Sequence, residues 1–191
     1  MRGGQREKGD SVTIARVRLT ARLRLEPIGP GHMRDLWLLF QDPAVAEWYG
    51  GPWTEEHAQR EVDGMGRAWE TEGIHKWMAY HRLTGERVGR GGLSWAILEG
   101  KTRLEIGWTL HRAYWGQGYA TEIGRAGLAV AFEEMGAEEV VSYTEVRNTR
   151  SRAVMERLGF RHSHDFIWED DGVPCVMYVL SRSRRTQAPG E

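Results

Sequence analysis

Three β-type segments in the middle of the chain constrain its fold more than any other feature. Lys76 to Leu83, Arg87 to Ile97 and Thr102 to Leu110 read as strands, joined by the short turns Thr84-Gly85-Glu86 and Glu99-Gly100-Lys101. Connections of that length make an antiparallel meander, because a parallel return needs a crossover of a dozen or more residues. In the third segment Leu104, Ile106, Trp108 and Leu110 fall on one face, and Arg103, Glu105, Gly107 and Thr109 on the other. The period then changes. A glycine-punctuated loop leads into a helix from about Tyr119 to Met135, with Ala120, Ile123, Gly127, Ala131 and Met135 at helical spacing.

The flanks extend this unit. Arg22 to Pro27 alternates as a half-buried first strand, and Met33, Leu36, Trp37 and Phe40 mark a helix that Asp42-Pro43 ends. Thr54 is placed to cap a second helix that Gly73 stops, with Glu55 and Glu56 at the positive end of its dipole. Glu139 to Glu145 reads as a strand and Asn148 to Leu158 as a short helix closed by Gly159. Phe160 to Trp168 and Pro174 to Leu180 form a final antiparallel pair turning at Asp170-Asp171-Gly172. Strands interleaved with helices predict a single mixed α/β (α+β) domain with a central sheet and helices on both faces. The domain is expected over residues 16–184, between a mobile tail, Met1 to Ala15, and a C-terminal tail, 185–191.

Composition excludes several classes. The formal net charge of -1 gives no global field for nucleic acid or an anionic membrane. Basic residues at the two ends (Arg2, Arg6, Lys8, Arg16, Arg18, Arg22, Arg24; Arg182, Arg184, Arg185) read as solvated ends and strand-edge arginines rather than an RNA-facing surface. The single cysteine, Cys175, rules out an internal disulfide framework and a Cys-rich zinc site. No apolar run approaches the roughly 20 residues of a membrane span, and no signal-peptide core is present, so a cytoplasmic protein is expected. His162 and His164 share a strand face, but no third metal ligand stands near them in sequence, and no metal is expected.

In Ala113-Tyr114-Trp115-Gly116-Gln117-Gly118-Tyr119-Ala120-Thr121-Glu122 a strand gives way to a helix across two glycines. Gly116 and Gly118 can take positive φ and let backbone approach a ligand closely. Unsatisfied amides at the following helix start suit a pyrophosphate. The segment lacks the Lys and Ser/Thr of a nucleoside-triphosphate loop, and it does not follow a first strand as a dinucleotide fingerprint does. From the glycines alone, an ordinary strand-to-helix turn is equally consistent.

The surrounding residues carry more. Leu104 to Leu110 followed by Tyr114 to Glu122 resembles the acetyl-CoA motif of the GNAT superfamily of N-acetyltransferases. Asn148-Thr149-Arg150-Ser151-Arg152-Ala153-Val154-Met155-Glu156-Arg157-Leu158-Gly159-Phe160 resembles a second signature of its Rim-type subgroup, the ribosomal-protein N-terminal acetyltransferases. The resemblance implies a mostly antiparallel sheet splayed between the Leu104–Leu110 and Glu139–Glu145 strands, with acetyl-CoA in the V-shaped gap. It further implies that backbone groups of Trp108, Thr109 and Leu110 pair with the pantetheine arm. The amides of Gly116, Gln117, Gly118, Tyr119 and Ala120 would hold the pyrophosphate, and Asn148 would bond the pantetheine amide. Ala113 stands where the family's loop often begins with Gln or Arg, which removes one side chain and not the cradle.

Acetylating an amine requires a base for its proton, a donor for the thioester oxygen, and protonation or release of the thiolate. Glu105, beside the expected thioester and next to small Gly107 and Thr109, is the candidate base. Its alternative is a surface strand glutamate paired with Arg103 or a neighbour. The resemblance implies the Trp108 amide as oxyanion donor. Many members place a tyrosine in the Asn-containing helix as acid; here that position is Met155, and Ser151 is the substitute the subgroup suggests. Trp37, Trp48, Tyr49, Trp53, Trp77 and Trp95 are expected to flank the acceptor side, two or three of them lining the pocket. The acceptor is a peptide N-terminus or a small amine, and a homodimer is compatible with this reading. A non-catalytic acyl-CoA sensor of the same fold is the competing reading, supported by the absent tyrosine.

Overall fold

The structure is a computed structural model that describes residues 16–168 and 172–185. The expected N-terminal tail, Met1–Ala15, the turn at Asp170-Asp171 and 186–191 of the expected C-terminal tail 185–191 lie outside the described residues, while Arg185 ends a short helix. Eight strands form one sheet in the order β1-β2-β3-β4-β5-β6-β8-β7. They are β1 Arg18–Leu19, β2 Leu23–Pro27, β3 Lys76–His81, β4 Arg87–Leu98, β5 Lys101–Leu110, β6 Glu139–Glu145, β7 Arg161–Ile167 and β8 Pro174–Ser181. Every pairing is antiparallel except β5 with β6. The meander β3-β4-β5 is as its short turns require, with Gly92 opposite Gly107 and Ser94 opposite Glu105.

The helices are α1 Met33–Leu39, α2 Pro43–Ala46, α3 Glu55–Thr71, α4 Tyr119–Ala129, α5 Thr149–Arg157 and α6 Arg182–Arg185, with a π-helical turn, Val130–Glu134, extending α4. Thr54 caps α3, its Oγ1 accepting from His57 N–H at 3.1 Å. Asp42-Pro43 ends α1 and also begins α2: Asp42 Oδ1 accepts from Ala44 N–H at 3.0 Å and Pro43 takes a first-turn position. The helix stop read from Asp42-Pro43 is thus also a helix start.

Two apolar bodies cover the sheet. Leu36, Leu39 and Phe40 of the α1 segment pack with Val62 and Met65 of α3 against Met78 and Tyr80. Ile123 and Leu128 of α4 pack on Leu93, Leu104 and Ile106 from the other side. Gly127 lets α4 press on β5, since a Cβ there would stand 2.7 Å from Ile106 Cδ1. The alternation in β5 is therefore resolved by burial. Its apolar set faces α4, and Glu105, Gly107 and Thr109 face the opposite side, where the cleft opens. Among the described residues, no helix is long and apolar enough to cross a membrane.

Candidate active site

The parallel pair β5–β6 touches at one register point, Glu105 opposite Val141. Beyond it the strands part. Ser142 Oγ reaches across to donate to Ile106 O at 2.8 Å, which pins the base of the gap. The β5 edge from Trp108 to Leu110 has no ladder partner toward β6 among the described residues, so an extended ligand arm can add there as a strand does. The gap opens into a cleft of about 2510 Å³.

At the cleft's far end the two-glycine loop turns into α4. Gly116 has φ +73° and Gly118 has φ +82°, so both need the left-handed backbone that only glycine adopts freely. Trp115 Nε1 donates to Leu110 O at 2.8 Å and ties the loop to the end of β5. Arg22 secures the other side. Its Nε donates to Glu122 Oε2 and its Nη1 to Gln117 O, at 2.8 and 2.9 Å, and its guanidinium lies 4.0 Å from the Tyr119 ring centre. Glu122 also accepts from Thr20 Oγ1 at 2.5 Å and from Arg22 N–H at 2.8 Å. Burial pushes the Glu122 carboxyl up, yet these hydrogen bonds outweigh it and hold the group below its ordinary value. Glu122 is more than a helix-start acid: it clamps the β1–β2 turn to the loop. Gly116, Gly118, Tyr119 and Ala120 line the cleft, while Gln117 folds its side chain back to Ala113 O at 2.7 Å.

The cleft carries eight Arg or Lys side chains against four Glu among the described residues, although the whole chain has net charge -1. A cationic cleft with a glycine cradle at a helix start and a free strand edge fits a ligand that joins a polyphosphate to an amide-bearing arm, as coenzyme A does.

Glu105 is buried, at 8% exposure, and it does not pair with Arg103, whose Nη1 bonds Glu139 at 3.0 Å. Its partner is Lys76, the first residue of β3. Lys76 Nζ lies 2.5 Å from Glu105 Oε2 and 2.8 Å from Gly92 O, and Ser94 Oγ donates to the same Oε2 at 3.0 Å. Burial holds the Lys76 ammonium below its usual pKa, and Glu105 pulls it back only in part. Oε1 is free of these bonds and lies over Gly107, where a Cβ would come within 2.7 Å of it. No local pattern marks this pair, because its members are 29 residues apart and meet only through the β3-β4-β5 register.

The six aromatic candidates do not form one wall. Trp48 and Tyr49 line the cleft, and Tyr49 Oη meets Thr109 Oγ1 at 2.5 Å. Trp53 stands behind them, stacked on Phe40 with centroids 3.5 Å apart. Trp77 is 1% exposed, packed on Trp69, and belongs to the core. Trp37 lies against Arg34, and Trp95 is 47% exposed away from the cleft. Strand parity explains Trp77, which points to the side opposite Lys76 and Met78. Residues not anticipated complete the site: Arg90 on β4, and Tyr143 on β6, whose phenol is pushed well above its ordinary value by burial and then by Glu105.

Asn148 caps α5, its Oδ1 accepting from Ser151 N–H at 3.1 Å. Both residues line the cleft, and Met155 is buried at 1% exposure. His162 and His164 bond Asp165 and Glu99, at 2.7 and 2.8 Å, on the exposed surface.

Comparison with known proteins agrees with this fold. The family described as acetyltransferase (GNAT) domain matches residues 22–161. The FsC-acetyl coenzyme A-N(2)-transacetylase of Aspergillus fumigatus is 34% identical over 191 positions, covering 89% of this chain and 79% of that protein. An acetyltransferase structure from Agrobacterium tumefaciens has a TM-score of 0.74 at 26% identity, covering 94% of this chain and 100% of the other. AAC(6')-Ib, solved with ribostamycin and coenzyme A, shares the fold with a TM-score of 0.73 at 20% identity, covering 89% and 98%.

Proposed function

Since this chain belongs to the GNAT acetyltransferase family and is an acetyl-CoA-dependent acyltransferase, we propose that it acetylates a primary amine by direct attack inside the β5–β6 cleft. The observation that carries this reading is the buried Glu105, one carboxylate oxygen held and the other open, at the single point where β5 and β6 touch. Bound acetyl-CoA supplies a thioester carbonyl carbon, to which the amine nitrogen bonds as the carbon–sulfur bond breaks.

The chain's own residues supply the rest. The free edge of Trp108, Thr109 and Leu110 aligns the donor's arm, and the cradle from Gly116 to Ala120 holds its pyrophosphate, with Asn148 at the arm's amide. Glu105 Oε1 accepts the ammonium proton, directly or through a water. The Trp108 N–H holds the carbonyl oxygen as charge builds on it. Ser151, at the start of α5, or a water returns a proton to the departing sulfur.

For the acceptor, a small-molecule amine is favoured, because the Aspergillus relative is named for transfer at an N(2) position. A protein N-terminus goes with the finer Rim-type placing, which rests on the Asn148–Phe160 signature. A cytoplasmic setting and one functional unit over residues 16–184 go with either acceptor.

The test is thiol release from acetyl-CoA with a panel of amines and peptides. Glu105→Gln is expected to lower kcat/KM by about 10²–10⁴-fold while coenzyme A affinity holds. Tight binding of coenzyme A with no release for any amine would make the cleft a sensor instead.

A further inference from the structure

Arg90 is a cation in the cleft with its hydrogen-bonding edge unused. It sits on β4 opposite Thr109 of β5 and Met78 of β3, on the face that carries Glu105. Its guanidinium carbon lies 5.2 Å from the Phe40 ring centre, 6.0 Å from that of Tyr49 and 5.9 Å from that of Trp53. Phe40 and Trp53 are stacked 3.5 Å apart with Tyr49 at right angles to them, so the guanidinium sits beside this aromatic group. The in-plane N–H donors form no hydrogen bond or ion pair with any described residue. The other charges nearby are spent on each other: Lys76 on Glu105, and Arg147 on Glu145 and Glu47. His75 adds no charge, because burial, then Lys76 and Arg90, push its pKa down to about 3.

We propose that Arg90 is the carboxylate-binding residue of the acceptor pocket, and that the acceptor is a small amino acid-like molecule bearing both a primary amine and a carboxylate. A planar fork with free donors matches a carboxylate in two parallel bonds, and the three aromatic rings beside it limit the space it can sweep. Arg90 and Glu105 stand four positions apart along the sheet face, about 14 Å between backbones at ~3.4 Å per residue. Glu105 extends over Gly107, which adds no side chain to the floor between them. A short zwitterion spans what is left, with its carboxylate on Arg90 and its amine at Glu105 Oε1. Tyr49, fixed to Thr109, closes the wall beside it. The fork disfavours a purely cationic acceptor, which would bring like charge to an unpaired arginine.

This inference rests on the transferase reading, and the experiment separates the two. Amino acids with one to five carbons between amine and carboxylate are compared, each with its own carboxamide, by thiol release from acetyl-CoA. The wild type is expected to prefer at least one free acid over its amide by about 10²-fold in kcat/KM, the size of losing a charged hydrogen-bonded pair. In Arg90→Gln that ratio is expected to collapse toward one, and Arg90→Lys is expected to restore part of it. Turnover of amines with no preference for the free acid in the wild type overturns the inference alone, and so does a preference that survives Arg90→Gln in a folded variant. Bound acetyl-CoA with no thiol release from any amine overturns the transferase reading and this inference together.

Discussion

Lys76→Met isolates what the buried pair contributes. The substitution keeps the unbranched stem, one atom shorter, and removes its charge and donors. Glu105 is then left with Ser94 as its one remaining hydrogen-bond donor among those seen, and Gly92 O loses the ammonium that satisfies it. Both side chains of the pair are 11% exposed, so solvent cannot replace the lost partner cheaply. Removing one member of such a pair costs about 3–5 kcal/mol while the other stays charged. That is a large share of a domain's whole stability of about 5–15 kcal/mol.

Glu105 can escape by taking a proton, which fixes the sign of the pH dependence. The unpaired buried charge is absent once the carboxylate is neutral, so the penalty is smallest in acid and grows as pH rises. Lys76→Met is therefore expected to be closest to wild type near about pH 5 and furthest below it near about pH 8. Urea unfolding at both conditions measures this, and Lys76→Met/Glu105→Gln should recover most of the loss at the higher pH. The acid limb of kcat/KM should move upward in the single variant. A loss below about 1 kcal/mol, the value of an exposed pair, independent of pH and with the acid limb unmoved, would refute the reasoning.

Gly118→Val should abolish coenzyme A binding by calorimetry, because φ +82° is closed to a β-branched residue; unaltered affinity would remove the cradle from the site. The His75 pKa, pushed down to about 3 chiefly by burial, means that the unfolded chain takes up a proton that the native state refuses. Stability from this group is full above about pH 6.5 and is lost as pH falls from there toward about 3, and His75→Gln should flatten that part of the denaturation profile. Asn148→Ala removes the α5 cap and should cost about 1 kcal/mol in urea unfolding, with a rise in KM for acetyl-CoA if the same side chain also meets the donor.

The turn chemistry and the alternation made most of the fold legible along the chain. Thr84-Gly85-Glu86 and Glu99-Gly100-Lys101 leave a meander as the outcome, and Gly116 and Gly118 mark where backbone must turn left-handed. These are local signals, and local backbone sterics enforce them. β1 was missed because two residues carry no period, and the start of α2 was missed because Asp42-Pro43 can end one helix and cap the next.

The sequence by itself determined the meander, the two-glycine turn into α4 and the face on which Glu105 lies. Tertiary structure decided what Glu105 does there. Pairing with Lys76, the clamp of Arg22 on Glu122, and the open fork of Arg90 all depend on strands brought side by side from distant positions. Strand parity likewise sent Trp77 into the core and left Trp48 and Tyr49 at the cleft. A side chain's partners across a sheet depend on register, and register is settled by which faces can be buried together, a property of the whole fold and of no single segment.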